Sequence, residues 1–157
     1  MDHSSEILSS LQNWDVPFEM LEHAPALSMD DLPPISEKLG APFFRNLFLT
    51  NRQKTDFYLL LIVGDKPFRT SEVSKKLGVS RLSFGDAELL DRMLSVSPGG
   101  VNPLSLMFDP EKKIKLLIDS EVLTWEKACL HPGTNTKSIV VCTRRTAICT
   151  IHKKTSI

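Results

Sequence analysis

The sequence predicts a mixed α+β fold, a single domain in which a mixed, curved β-sheet is flanked by helices. Three observations lead there. Apolar runs of strand length outnumber segments of helical period, and the helical segments are interspersed among them. The run Phe57-Tyr58-Leu59-Leu60-Leu61-Ile62-Val63 is apolar on both faces, which marks a central strand covered on both sides. No internal repeat, low-complexity tract or dividing linker interrupts the 157 residues, so 1–157 reads as one domain.

The elements follow from local pattern. Ser4-Ser5-Glu6 is placed to cap a first helix with Ile7, Leu8, Leu11 and Trp14 on its apolar face. Residues 17–23 read as a short strand. Residues 28–39 read as a helix with Asp30 and Asp31 in its first turn, Pro33-Pro34 near its start and Gly40 at its end. Residues 44–50 and 56–63 form a hairpin through the polar stretch Asn51 to Thr55. Thr70 or Ser71 caps a helix through Leu77 that Gly78 closes, and residues 81–84 make a short strand. Residues 86–94 form an amphipathic helix. Residues 104–108 read as a strand and 113–118 as its hairpin partner across the Asp109-Pro110-Glu111-Lys112 turn. Strands at 127–130 and 138–142 flank a loop at His131. Residues 143–157 read as a helix with a frayed tail.

Composition excludes several classes. Formal net charge is zero, which disfavours a protein that wraps DNA or RNA wholesale. Local cationic groups, such as Lys75, Lys76 and Arg81, permit limited phosphate contact. No apolar run reaches membrane-span length, and the N-terminal residues lack a secretory pattern, so a cytoplasmic protein with no membrane partner is expected. Three cysteines, Cys129, Cys142 and Cys149, and four scattered histidines show neither disulfide nor zinc spacing, so no metal site is expected.

The chemistry-bearing residues fall in loops and at strand starts. Ser97-Pro98-Gly99-Gly100-Val101-Asn102-Pro103 places two glycines between two prolines. Such a loop presents main-chain N–H groups, which can hold a carbonyl or an oxyanion. The same composition describes an ordinary turn. Arg45 and Asn46 offer a charge and an amide at the start of a strand, and His131 and Asn135 sit in a loop after another. Each has a structural alternative: a surface charge, a backbone bond, a strand-end cap. No serine lies in a nucleophile elbow. Cys129 and His131 share a strand face, which permits a thiol–imidazole pair but more commonly marks packing neighbours.

Four blocks in order resemble the YbaK/ProX family of aminoacyl-tRNA editing domains. They are Arg45-Asn46-Leu47-Phe48-Leu49, Lys76 to Phe84, Gly99-Gly100-Val101-Asn102-Pro103, and His131-Pro132 with Asn135-Thr136. The likeness covers roughly residues 15–142 and is greatest to free-standing prolyl-tRNA editing proteins. The resemblance implies a cytosolic hydrolase that acts in trans on wrongly charged tRNA, typically alanyl-tRNA with the proline anticodon, without a cofactor. Its partners would be the acceptor end of aminoacylated tRNA and prolyl-tRNA synthetase, not DNA. By the same resemblance Gly99, Gly100 and Val101 would hold the acyl carbonyl, and Asn46 and His131 would orient the terminal adenosine or the water. Asn102, Pro103 and Asn135 would contact substrate, and Met29 and Leu32 would line an apolar pocket. Gly100→Val is then expected to reduce hydrolysis far more than folding stability. Two departures stand out. Arg45 replaces the family lysine, which keeps phosphate binding but removes proton transfer. The tail opens with the basic residues Arg144 and Arg145, where relatives carry acids. The competing expectation is a catalytically silent module of the same fold that binds a tRNA end or a synthetase.

Overall fold

A computed structural model describes residues 3–64, 66–96, 100–143 and 154–156. The predicted α+β class holds, with the strands divided between two sheets. One has three strands, and β7 (Lys137–Cys142) lies between β1 (Phe18–Glu22) and β6 (Lys127–Leu130). The other has five, ordered β4 (Leu82–Phe84), β2 (Phe44–Asn51), β3 (Phe57–Val63), β5 (Ile114–Ile118) and β8 (Lys154–Ser156).

The β2–β3 hairpin forms as the pattern predicts, in an antiparallel register from Phe44↔Val63 to Thr50↔Phe57. Its alternation sorts side chains to two cores. Phe44, Phe48, Leu59 and Leu61 face the larger, which also holds Ile7 and Leu11 of α1 (Ser4–Asn13) and Leu89, Leu90 and Leu94 of α4 (Ala87–Leu94). Leu49, Tyr58, Leu60 and Ile62 face the smaller, with Val73 of α3 (Thr70–Leu77). Each fully buried leucine contributes about 2 kcal/mol of transfer free energy, so the two-sided burial of β3 anchors the sheet.

Helix ends follow local chemistry. The α4 N-terminus is capped by the Asp86 carboxylate, which accepts from the Leu89 N–H at 2.8 Å. Both α2 (Leu32–Leu39) and α3 end at glycines in the left-handed region, Gly40 and Gly78. Several expectations are corrected. Arg69, not Thr70 or Ser71, occupies the α3 N-cap, and no side chain caps there. Trp14 is 43% exposed and ends α1 instead of packing beneath it.

Residues 103–108 form a 3-10 helix, not a strand. Pro103 at its first turn has no N–H to leave unpaired, and the Asn102 side chain accepts from the Leu104 N–H at 2.9 Å, which turns the chain into a helical start. β5 therefore has no hairpin partner there and pairs in parallel with β3 and β8. In the segment read as helix and tail, residues 144–153 and 157 lie outside the described residues, while residues 154–156 form an edge strand.

The two sheets share the larger core, and among the described residues an isolated bridge joins them. Phe43 bridges Cys129 in parallel, and the Cys129 N–H donates to the Pro42 carbonyl at 2.8 Å. Beyond that bridge the start of β2 and the end of β6 run on side by side, and a cleft lies between them.

Candidate active site

The cleft has a volume of about 320 Å³. Arg45, Asn46, Val101, Leu32 and His131 all line it, five of the residues singled out in the sequence. They arrive from four separate places: the start of α2, the start of β2, the glycine loop and the end of β6.

On the β2 side, neighbouring residues point to opposite sheet faces. Asn46 shares the face of Phe44 and Phe48, and its Oδ1 is buried with no hydrogen-bond partner among the described residues. Arg45 points to the α3 side, where its Nη2 donates to the Lys66 carbonyl at 2.7 Å while its buried Nε has no partner among the described residues. The Lys66 segment is itself held. Lys66 Nζ sits 2.8 Å from the Asp119 carboxylate, which also accepts from the Val63 and Glu121 N–H groups. The bond to Asp119 raises the Lys66 pKa above its ordinary value. Burial alone would raise the Asp119 pKa, but the bonds from Lys66, Glu121 and Val63 outweigh it and leave the pKa lowered.

On the opposite side, the β6–β7 hairpin carries His131 just past Leu130. Gly133 turns the loop with φ +79°, a conformation costly for any residue with a Cβ. The His131 ring packs tilted against Phe43 with ring centroids 5.2 Å apart. Its Nδ1 lies 3.2 Å from the Lys137 carbonyl and 3.1 Å from the Ser138 Oγ. Burial lowers its pKa, opposed by the bond to Lys137 and assisted by the nearby His23. The imidazole is therefore neutral at neutral pH.

The apolar floor is Leu32, Val101 and Leu130. Above α2, the Asp31 carboxylate accepts from the Leu27 N–H at 2.8 Å and the Ser28 N–H at 3.2 Å, which folds the 27–31 turn against the cleft. The glycine loop closes the remaining side. A Cβ on Gly100 would stand 2.8 Å from the Gly133 carbonyl oxygen and 2.9 Å from its carbon. The two loops thus touch backbone to backbone. A side chain at Gly100 drives the loops apart, so Gly100→Val is expected to cost folding stability as well as hydrolysis.

Other sequence candidates fall elsewhere. Asn102 is fully buried, and its amide is spent within the loop, donating to the Gly100 carbonyl at 2.9 Å and the Ser105 Oγ at 3.0 Å. Pro103 is buried behind it. Neither lines the cleft, and the Asn102 side chain is engaged in shaping the loop. Asn135 also stands off the wall; its carbonyl accepts from the Ala26 N–H at 2.9 Å and ties down the strand exit. Gly99 and the Met29 side chain lie outside the described residues. The Cys129 thiol is fully buried, donates to the Ala41 carbonyl, and is pushed up to about 12 by desolvation, which removes it as a nucleophile.

Sequence reasoning missed His23, Ser138 and Phe43. The first two are 115 residues apart and bond at 2.7 Å because β1 pairs antiparallel with β7, Leu21 opposite Ser138. No local signal in the sequence announces that pairing.

The sequence model of the aminoacyl-tRNA editing domain matches residues 23–146. The prolyl-tRNA editing protein ProX of Acetoanaerobium sticklandii is 21% identical over 141 residues, covering 90% of this chain and 86% of the relative. The prolyl-tRNA synthetase associated domain-containing protein 1 of Mus musculus is 31% identical over 121 residues, 74% of this chain and 71% of the relative. A solved structure described as a candidate trans-editing enzyme for prolyl tRNA synthetase shares the fold with TM-score 0.73 at 14% identity, covering 99% of this chain and 97% of that one. No helix among the described residues is long and apolar enough to cross a membrane. The chain belongs to the aminoacyl-tRNA editing domain family, and its activity is deacylation of aminoacyl-tRNA.

Proposed function

We propose that the cleft receives the acylated 3′ end of a mischarged tRNA, with alanine on the tRNA for proline as the substrate it fits, and that it acts in trans in the cytoplasm on tRNA released by prolyl-tRNA synthetase. One observation carries the reading: Asn46, Val101 and His131 converge on one cleft, and Asn46 Oδ1 is buried there without a partner. A buried acceptor left open costs about 1–3 kcal/mol, and a donor on the substrate relieves that cost.

The ester is already activated, so positioning and charge stabilisation suffice. Water adds to the acyl carbon, the carbonyl oxygen takes up the negative charge, and the ribose oxygen leaves with the proton that the water gives up. Main-chain N–H groups at Gly100 and Val101 hold the oxyanion, each donor worth roughly 3 kcal/mol of barrier. Asn46 and His131 orient the terminal adenosine and the water. Arg45, at the mouth, grips a phosphate of the tRNA end with the guanidinium donors that Lys66 leaves free. Leu32 and Val101 bound the acyl side chain. An apolar wall distinguishes one methylene by only about 1–3 kcal/mol, so proline is excluded by its ring and serine is separated weakly from alanine.

The test is a panel of tRNA charged with labelled alanine, serine, proline or cysteine. Alanine is expected to be released fastest and proline to be spared. Tight binding of tRNA with no release of any residue would show a silent binding module, and release of proline at the alanine rate would overturn size selection.

A further inference from the structure

We infer that His23 and Ser138 are positioning residues of the cleft: with His131 they form a part-buried hydrogen-bond relay that holds the His131 proton on Nδ1, facing inward, and leaves Nε2 as an acceptor for the substrate. The inference rests on the proposed reading of the cleft and adds to it which nitrogen meets the ligand.

The relay is fixed at both ends by carbonyls. His23 Nδ1 lies 2.7 Å from the Ala24 carbonyl, and a carbonyl only accepts, so in the neutral ring Nδ1 carries the His23 proton and Nε2 is bare. That Nε2 lies 2.7 Å from the Ser138 Oγ, so the hydroxyl donates its one proton to His23. Its lone pairs then face His131 Nδ1 at 3.1 Å, which must donate. The Lys137 carbonyl, 3.2 Å from the same nitrogen, demands the same proton. The opposite tautomer would set two lone pairs against the bare Nδ1. Ser138 is fully buried, so solvent does not repair a broken link. Among the described residues nothing bonds His131 Nε2, and the ring lines the cleft. There Nε2 accepts a hydrogen bond from the attacking water or from the free hydroxyl of the terminal ribose. The fold makes the relay through one register: β1 against β7 sets His23 beside Ser138, and the His23 N–H donates to the Thr136 carbonyl at 2.9 Å.

The experiment reads the imidazole nitrogens of the full chain by 15N NMR without substrate, then the kinetics. Wild type is expected to show His131 protonated at Nδ1 and bare at Nε2. In Ser138→Ala, and in His23→Leu should the first variant not fold, the Lys137 carbonyl alone still favours the Nδ1 proton, and the His131 nitrogens move part of the way toward a tautomeric average. In the same variants kcat falls roughly tenfold, with KM within about twofold. His23→Gln, whose amide oxygen accepts from the Ser138 hydroxyl, is expected to restore both readouts. A wild-type proton on Nε2, or variant spectra identical to wild type, overturns the relay. Because the spectra need no substrate, that outcome is distinct from failure to release alanine.

Discussion

The two walls of the cleft differ in how complete they are before any substrate arrives. On one wall His23, Ser138 and His131 satisfy one another and end on the carbonyls of Ala24 and Lys137. On the other, Asn46 Oδ1 is buried with no partner among the described residues. A satisfied buried network is rigid, whereas an open buried group is a standing cost. The closed wall therefore sets geometry and offers the ligand only His131 Nε2, and the open wall keeps its hydrogen bonds for the ligand. Substitutions separate the two roles because they should move stability in opposite directions.

The largest effect is expected at the seam that holds the walls in place. Gly100 has no unusual φ; what it supplies is room, since a Cβ would meet the Gly133 backbone at 2.8 Å. Backbone cannot swing aside as a side chain can. Gly100→Ala is expected to lower stability by about 1–3 kcal/mol. It should also cut kcat/KM roughly 100-fold by displacing the loop N–H groups. Denaturant midpoints and deacylation rates check both. Wild-type values in both would show that the loops do not depend on each other.

Next comes the open wall itself. Asn46→Val replaces an unpartnered buried amide with a β-branched side chain suited to a strand. It should raise stability by about 1 kcal/mol while reducing deacylation by at least tenfold. Ser138→Ala should lose stability, since it leaves the His23 and His131 nitrogens without their shared partner. A destabilised Asn46→Val would mean that Asn46 belongs to the structural wall, and the contrast would be gone.

Much of this cleft was legible in the sequence because its parts are local. Arg45 and Asn46 open a strand whose alternation fixes their faces, and the glycine loop and His131 loop announce themselves by composition. What was not legible depends on pairing between distant segments. The apolar spacing of Leu104, Leu106 and Phe108 fits a strand as well as a turn of helix, and the Asn102 side chain, by capping Leu104, decides for the helix. The same capping engages the Asn102 side chain in shaping the loop, which no motif reveals. His23 and Ser138 look unremarkable until β1 and β7 are paired. The parallel placement of β5 beside β3 likewise has no local signature, since a buried apolar run suits either neighbour.

The smallest expected effect lies behind the open wall, where Asp119 holds Lys66 and Lys66 in turn holds Arg45 through its carbonyl. The Asp119 pKa is lowered in the folded protein, so the folded state binds fewer protons than the unfolded chain through the acid range. The stabilisation is fully present above the ordinary carboxylate pKa and is lost as pH falls through the lowered one. His131, also lowered, gives the same sign at higher pH: the unfolded chain takes up a proton near the ordinary imidazole pKa while the folded ring stays neutral. Acidification should thus cost stability in two steps, first from the closed wall and then from the open one. Asp119→Asn keeps an acceptor for one of the two backbone N–H groups, which bond to different oxygens, and loses the ion pair. Its melting temperature should be slightly lower at neutral pH and flatter below the ordinary carboxylate range, with the upper step unchanged. Melting curves across pH check this. Parallel curves for the two proteins would show that Asp119 does not carry the lower step, and Arg45 would then owe its position to the sheet alone.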